Sequence, residues 1–293
     1  MTTIDDRHDL DDDTQEPVPA VAASLIPSTP VKPPWRRHAA RVLPPLLAAL
    51  GLLVVWVLLH NQLPDRRKFL LPTPWEVLAK GFLDPDAIRE LLASLLLTAE
   101  LALTGLTISV ILGMLTGVIM WRFFWIERAS YPFLVALQAV PILAIAPLMT
   151  IAFGYGFMSK ALVCVIISFF PIPTTMLLGM KSIDKRLLDM FRMHRASSWT
   201  TLIKLALPNC LPNLFAGFRI AAGLSVIGAI VGEQFFKQGE AGLGQRIEQY
   251  RVLFQYEQLY AALILSSLLG ILVFLAFGWL GHRLTHHWHE SAS

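Results

Sequence analysis

The chain alternates long apolar runs with shorter polar ones, and the runs are of membrane length. Six of them lie at approximately 42–63, 92–119, 130–153, 160–180, 212–235 and 257–281. Each approaches the roughly 20 apolar residues needed to span a hydrocarbon core about 30 Å thick. The third contains Pro141 and Pro147, and the fourth contains Pro171 and Pro173. Kinked or broken membrane helices are expected there, with neighbouring groups re-satisfying the freed backbone carbonyls.

A polar segment, Leu187 to Pro212, interrupts this pattern between the fourth and fifth runs. Asp184 and Ser182 suit the cap positions ahead of Leu187, Leu188 and Phe191, which fall on one helical face. Ser197 and Ser198 are able to cap a second short helix bearing Trp199, Leu202 and Ile203. Pro208 then stops that helix or starts the fifth span. The pattern predicts a helix–turn–helix too polar to enter lipid.

Residues 1–34 read as a separate tail. Asp5, Asp6, Asp9, Asp11, Asp12 and Asp13 repel one another, and Pro17, Pro19, Pro27, Pro30, Pro33 and Pro34 follow. Such a segment buries too little apolar surface to offset its ordering entropy, so disorder is expected. Its acidic start and late hydrophobic run are unlike a signal peptide. Residues 35–281 form the expected membrane domain, with the polar loop at about 182–208, and 282–293 a second tail. Basic residues set the orientation: Arg36, Arg37 and Arg41 precede the first run, Arg122 and Arg128 follow the second, and Lys181, Lys185, Arg186, Arg192, Arg195 and Lys204 follow the fourth. Placing these in the cytoplasm, with Arg283, puts both termini inside. Arg66, Arg67, Lys68 and Arg89 then fall outside.

Composition agrees. Of 293 residues, 55% are hydrophobic and 15% charged, against about a quarter charged in soluble domains. A formal net charge of +3 gives no bulk attraction for nucleic acid, and none is expected as a partner. Cys164 and Cys210 are too few for a disulfide framework or a metal site. His282, His286, His287 and His289 read as a solvated tail, not a metal site, which needs fixed ligands and a supporting shell. No nucleophile–base pair stands out, so neither catalysis nor a cofactor is expected. A phosphate-binding G-x-x-x-x-G-K-[ST] loop is missing, since Gly179-Met180-Lys181-Ser182 lacks its spacing. Uphill transport therefore needs a partner that hydrolyses nucleotide, or an ion gradient. Glu100, Arg219 and Glu233 are charged positions within the spans, open to a relay or to an interfacial role. Gly113 with Gly117, and Gly228 with Gly232, allow close helix approach within one chain or between two. Gln138, Pro141 and Pro171 fit either the lining of a path or plain packing.

At Leu202-Ile203-Lys204-Leu205-Ala206-Leu207-Pro208 the polar segment resembles the coupling loop of binding-protein-dependent ATP-binding cassette (ABC) importer permeases. That signature is E-A-A, three residues, Gly, nine residues, then I-x-L-P. Aligned from Leu207-Pro208, its E-A-A positions fall on Asp189, Met190 and Phe191 and its Gly on Arg195. Arg195-Ala196-Ser197-Ser198-Trp199 is similar to the G-A-S-x-W of the nitrate/sulfonate/taurine branch. Val140 to Leu148, Phe169 to Ile172, Ala216 to Ala221, Gly228 to Glu233, Gly242 to Gly244 and Leu71 to Pro74 resemble further segments of that branch. The resemblance covers roughly 42–281.

It implies an all-α membrane protein with six transmembrane helices, the type I ABC importer permease fold and a cytoplasmic coupling helix. The chain itself is then a non-catalytic transporter subunit in the inner membrane bilayer. Its implied partners are a cytoplasmic ABC ATPase dimer, a second permease subunit (the same or a homologous chain) and an extracytoplasmic substrate-binding protein. Asp189, Phe191, Arg195, Ala196, Ser197, Trp199, Leu207 and Pro208 map to ATPase coupling. Gln138, Pro141, Pro171 and Glu233 map to the translocation path, and Gly242 and Gly244 to the binding-protein surface. Solutes of the branch are nitrate-, sulfonate- or taurine-like anions and thiamine-precursor, pyrimidine or flavin-like molecules. An ion-coupled carrier or channel acting without an ATPase is the alternative. The Arg195 position departs from the motif, because arginine adopts the φ > 0 backbone of glycine only at a cost.

Overall fold

The computed structural model describes residues 34–139 and 141–285, and every regular element among them is helical. The tail before residue 34, Val140, and His286, His287 and His289 lie outside the described residues. Two units are distinguished, Met1–Val54 and Val55–Ser293. Helix α1 (Pro34–Gln62) exposes Leu46, Leu50 and Leu53, as a lipid-facing helix does. In the second unit, Trp56 donates to the Pro72 carbonyl at 2.9 Å and tethers the following loop. Short α2 (Pro74–Val77) starts at a capping box, in which the Glu76 N–H donates to the Thr73 hydroxyl and the Thr73 N–H to the Glu76 carboxylate.

The long helix α3 (Pro85–Arg122) is capped by Asp84. It is followed by α4 (Phe124–Ala139), α5 (Ile142–Phe153), α6 (Phe157–Phe169) and α7 (Pro171–Lys181). Then come α8 (Lys185–Met193), α9 (Ser198–Thr201), α10 (Leu207–Phe235), α11 (Leu243–Val252) and α12 (Tyr256–Thr285). Five helical stretches are long and apolar enough to cross a membrane: Leu43–Gln62, Pro85–Arg122, Phe157–Lys181, Ser198–Phe235 and Tyr256–Leu284.

The expected run at 130–153 differs from the others, for it is divided between α4 and α5. At 16 and 12 residues they are about 24 and 18 Å long at 1.5 Å per residue, each short of the bilayer core. Pro141, which lacks an N–H and disfavours helix at the residue before it, lies in the break. The prolines of the fourth run have a milder effect, because Pro171 and Pro173 stand in the first turn of α7. The Thr175 hydroxyl donates to the Pro171 carbonyl at 2.7 Å. At the other end of the chain, the expected tail from 282 begins as helix. No Gly or Pro follows Gly281 before Thr285, and His282 and Arg283 suit a helix C-terminus.

Helix α10 is central, packed by α6, α7, α12 and α3. Lipid tails are as apolar as leucine, so this packing rests on close van der Waals fit and not on exclusion of water. The glycines supply that fit. A Cβ on Gly228 would meet the Cys164 backbone at 2.8 Å, and one on Gly232 the Lys160 backbone at 3.2 Å. Gly113 and Gly117 likewise face Ile172 and Met176. Both glycine pairs therefore seat helices of the same chain, and the buried thiols of Cys164 and Cys210 are free.

Candidate functional site

The polar segment folds as an exposed helix joined at both ends to the bundle. Asp184 caps α8 by accepting from the Arg186 N–H at 2.9 Å. Leu188 packs against the main core, which includes Met180, Ile183 and Leu202. Leu187, Met190 and Met193 are exposed, Met193 by 77%. At 100° per residue they form a stripe about 120° wide. Trp199 (68%) and Ile203 are exposed beyond the turn, and Phe191 and Ala196 are half-buried. Asp189 accepts from Arg192 at 3.2 Å, an exposed pair.

The turn after α8 keeps the geometry of a glycine without having one. Arg195 has φ +50°. The Ala196 N–H donates to the Phe191 carbonyl at 3.0 Å and the Arg195 N–H to the Arg192 carbonyl at 2.9 Å. This pair of bonds is a Schellman motif, whose left-handed position ordinarily holds glycine. Ser197 then caps α9, accepting from the Thr200 N–H at 3.1 Å. From α9 the helix runs through a π turn, Leu202–Ala206, directly into α10. Leu207 and Pro208 are its first residues, so Pro208 starts the span and does not interrupt it. Asn209 donates to the Gly179 carbonyl at 2.8 Å and ties this root to α7.

A second cluster forms at the far end of α10. Glu233 is 2% exposed. Its carboxylate accepts from the Thr98 hydroxyl at 2.9 and 3.0 Å and from the Gly244 N–H at 2.8 Å. The Leu243 N–H in turn donates to the Thr98 hydroxyl oxygen at 2.8 Å. Glu233 therefore sits at the N-terminus of α11, where free N–H groups and the helix dipole favour an anion. Any side chain at Gly242 would strike the Glu233 carboxylate, and one at Gly244 the Ile230 carbonyl. Both glycines are buried. They let the loop close over Glu233. Nearby, the Arg246 guanidinium pairs with Glu90 at 2.5 Å, and Tyr250 donates to the same carboxylate at 2.8 Å. Burial and that carboxylate push the Tyr250 hydroxyl pKa up.

The four expected path residues do not share one site. Gln138 and Pro171 line a cavity of about 230 Å³ with Ile142, Phe170 and Leu224. Pro141 is exposed in the α4–α5 break. Glu233 instead lines a cavity of about 270 Å³ with Glu100 and Lys160. Arg219 places its guanidinium 4.0 Å from the centre of the Phe274 ring. Thr98 and Lys160 were not singled out by the sequence: a threonine in an apolar run is unremarkable, and Lys160 stands where a span begins.

Five membrane-length helical stretches among the described residues, with an exposed amphipathic helix on a connection, define a multi-pass membrane protein. Residues 109–286 match the family described as binding-protein-dependent transport system inner membrane component, and the chain belongs to that family. It is 34% identical to the formylaminopyrimidine transport permease protein ThiX of Halalkalibacterium halodurans, over 82% of this chain and 94% of that protein. It is 33% identical to the riboflavin transport system permease protein RibX of Chloroflexus aurantiacus, over 76% and 82% of the two chains. With the putative aliphatic sulfonates transport permease protein SsuC of Escherichia coli, identity is 31% over 83% and 89%. The fold is that of an amino acid ABC transporter seen by crystallography, at TM-score 0.51 and 18% identity over 68% of this chain and 94% of that one. The chain is a transmembrane ABC transporter permease of the branch that its motifs resemble.

Proposed function

We propose that this chain forms the translocation pathway of an ATP-driven importer and takes its energy from a separate cytoplasmic ABC ATPase dimer. The carrying observation is the exposed apolar stripe Leu187–Met190–Met193 on a helix whose other exposed residues, Lys185, Arg186, Asp189 and Arg192, are charged. Such a stripe in water needs a partner groove, and α8 is rooted so that pressure on it moves the bundle. One end joins α7 through Ser182 to Asp184, and the other continues through α9 into α10. Asp189, Arg195, Ser197 and Trp199 border the stripe and orient it; Phe191, Ala196, Leu207 and Pro208 transmit its motion inward. In this reading α4 and α5 together make the sixth crossing, and both termini are cytoplasmic. A second permease subunit completes the pore, and an extracytoplasmic binding protein delivers the solute. The solute is a small molecule of the kinds named for the relatives, with Gln138, Pro141, Pro171 and Glu233 along its way.

The test is co-purification with the cognate ATPase from membranes, together with ATP-dependent solute uptake. Leu187→Asp, Asp189→Lys and Arg195→Asp are expected to lose both while the chain still inserts. Unchanged ATPase recovery and uptake in all three variants sinks the docking role. Uptake that needs no ATPase and collapses with an ionophore favours the carrier alternative.

A further inference from the structure

Arg219 is a cation in a membrane-length helix with no carboxylate beside it. The residue is exposed, its guanidinium rests on the Phe274 ring, and among the described residues it forms no ion pair. Gly278 leaves room for the side chain, since a Cβ there would meet the Arg219 Nε at 3.3 Å. The acidic residues of α10 and α12 are Glu233 and Glu257, and Glu233 stands about 21 Å further along α10 at 1.5 Å per residue. Phe235, where α10 ends, is about 24 Å from Arg219 on the same measure. A hydrocarbon core about 30 Å thick with its edge at Phe235 therefore extends past Arg219 by little more than one turn. Trp279, exposed on α12 beyond Phe274, suits the headgroup level on that side, and the Arg283 guanidinium lies 5.2 Å from its ring centre. Arg219 thus approaches a membrane interface from within the hydrocarbon, where a cation needs polar company.

Phe274 also stands at one end of an open apolar groove of about 570 Å³ between α10 and α12. The groove follows α10 from Ile220 to Gln234, about 21 Å at 1.5 Å per residue. Its floor is bare: a Cβ on Gly223 would meet nothing within 4 Å, and one on Gly270 only Val226 at 3.9 Å. Ser266 and Ser267 line it, but their hydroxyls donate to the Ala262 and Leu263 carbonyls at 2.8 and 2.9 Å. Volume over length gives a section of about 27 Å², about 5 Å across. An α-helix with its side chains is about 10–12 Å across, whereas a single alkyl chain, whose carbons meet their neighbours at about 4 Å, fills that width. We propose that the groove holds one acyl chain of an anionic phospholipid whose phosphate pairs with the Arg219 guanidinium. The planar fork of the guanidinium matches two phosphate oxygens. With no carboxylate on the adjoining parts of α10 and α12 to receive a choline ammonium, a headgroup of net negative charge is preferred. Basic sites between spans near an interface take such headgroups. A small anionic solute would satisfy the charge and leave the apolar groove unfilled.

The experiment is native mass spectrometry of the full chain in a mild detergent, titrated with dioleoyl phosphatidylglycerol or dioleoyl phosphatidylcholine. The wild-type chain is expected to retain one phosphatidylglycerol about tenfold more tightly than phosphatidylcholine, the size of one charge-assisted bond. Arg219→Gln should bring phosphatidylglycerol down to the phosphatidylcholine level. Gly223→Leu and Gly270→Leu fill the groove and should each weaken both lipids about tenfold, by loss of the buried chain. Arg122→Gln removes a cation at the end of α3 and should change neither lipid. A thermal transition near that of the wild type shows that each variant folds, and if one groove variant loses it, the other decides. Equal retention of the two lipids, retention undiminished in Arg219→Gln or in a folded groove variant, or an equal loss in Arg122→Gln overturns the site. Gly223→Cys distinguishes the remaining occupant. Chains that crosslink to one another through it in native membranes place a second copy in the groove and overturn the lipid assignment; chains that stay uncrosslinked support it. No ATPase, nucleotide or solute enters the measurement, so its outcome is separate from that of the importer reading.

Discussion

Arg195→Gly should stabilise the turn on which α8 ends. At φ +50° an L-residue bears roughly 1–2 kcal/mol of strain between its Cβ and the following carbonyl. Glycine has no such strain, but it loses about 0.5–1 kcal/mol more backbone entropy on ordering. The difference is a gain of about 0.5–1 kcal/mol, or about two- to fivefold in a local opening constant. The Ala196 amide reports it directly, since its hydrogen closes the turn onto the Phe191 carbonyl and exchanges only when the turn opens. Hydrogen exchange in detergent micelles should therefore slow about two- to fivefold at Ala196 in Arg195→Gly. Arg195→Ala, which keeps the strain and removes the guanidinium, should leave the rate near the wild-type value. Arg195→Val should speed it, because a β-branched residue tolerates the left-handed region worst. Equal rates in the wild type and Arg195→Gly would falsify the strain argument.

Three further perturbations probe the rest of the frame. Gly244→Ala forces a methyl into the Ile230 carbonyl and should cost about 1–3 kcal/mol, read as a lower unfolding midpoint in detergent. Thr98→Val removes both the donor to Glu233 and the acceptor for the Leu243 N–H; a loss of about 2–3 kcal/mol is expected, and a neutral result refutes a stabilising role for these bonds. The third is a pH effect at the α2 capping box, where the Thr73 N–H and hydroxyl hold the Glu76 carboxyl pKa below its ordinary range. That contribution is fully present above the ordinary carboxylate pKa of about 4.3 and is lost as pH falls through the lower folded value. Glu76→Gln should thus unfold earlier than wild type at pH 7, and the two curves should converge by about pH 3.

What the sequence disclosed depended on whether a residue acts within its own segment. Asp184, Ser197 and Pro208 cap or start helices within a few positions of themselves, so their places were legible. Arg195 was legible as a departure, since its motif position specifies a backbone angle. Pro141 marked its break, though apolar content alone made 130–153 look like one span. Gly242 and Gly244 lie in a connection, which ordinarily belongs to the surface. What buries them is Glu233, reached only once the chain folds back. Lys160 stands where a span begins, and only the approach of α6 to Gly232 shows its stem to be buried. The glycine pairs declared close contact without naming the partner, because spacing fixes a helix face and not what packs on it.

The helix from Ser198 to Phe235 runs without a break between the two sites. Its 38 residues extend about 57 Å at 1.5 Å per residue, with Trp199 exposed near one end and Glu233 holding α11 near the other. Coupling over such a distance requires an element with two discrete arrangements, not merely a continuous rod. The rod is stiff where α6 packs flush against Gly228 and Gly232. It has a softer point at the π turn Leu202–Ala206, where wider turns replace the α ladder. That soft point follows the exposed stripe of α8 and the exposed Trp199 in the chain, and the Asn209 bond to Gly179 fastens the helix to α7 just beyond it. In the proposed coupling, a push on α8 and α9 would reach the π turn first, and the Asn209 bond would pass what remains to α7 and the root of α10 together. The break at Pro141 divides α4, which the Glu127–Lys181 ion pair and the packing of Leu134 with Leu177 fasten to α7, from α5, which packs on α6. The Gln138–Pro171 cavity lies where these elements meet.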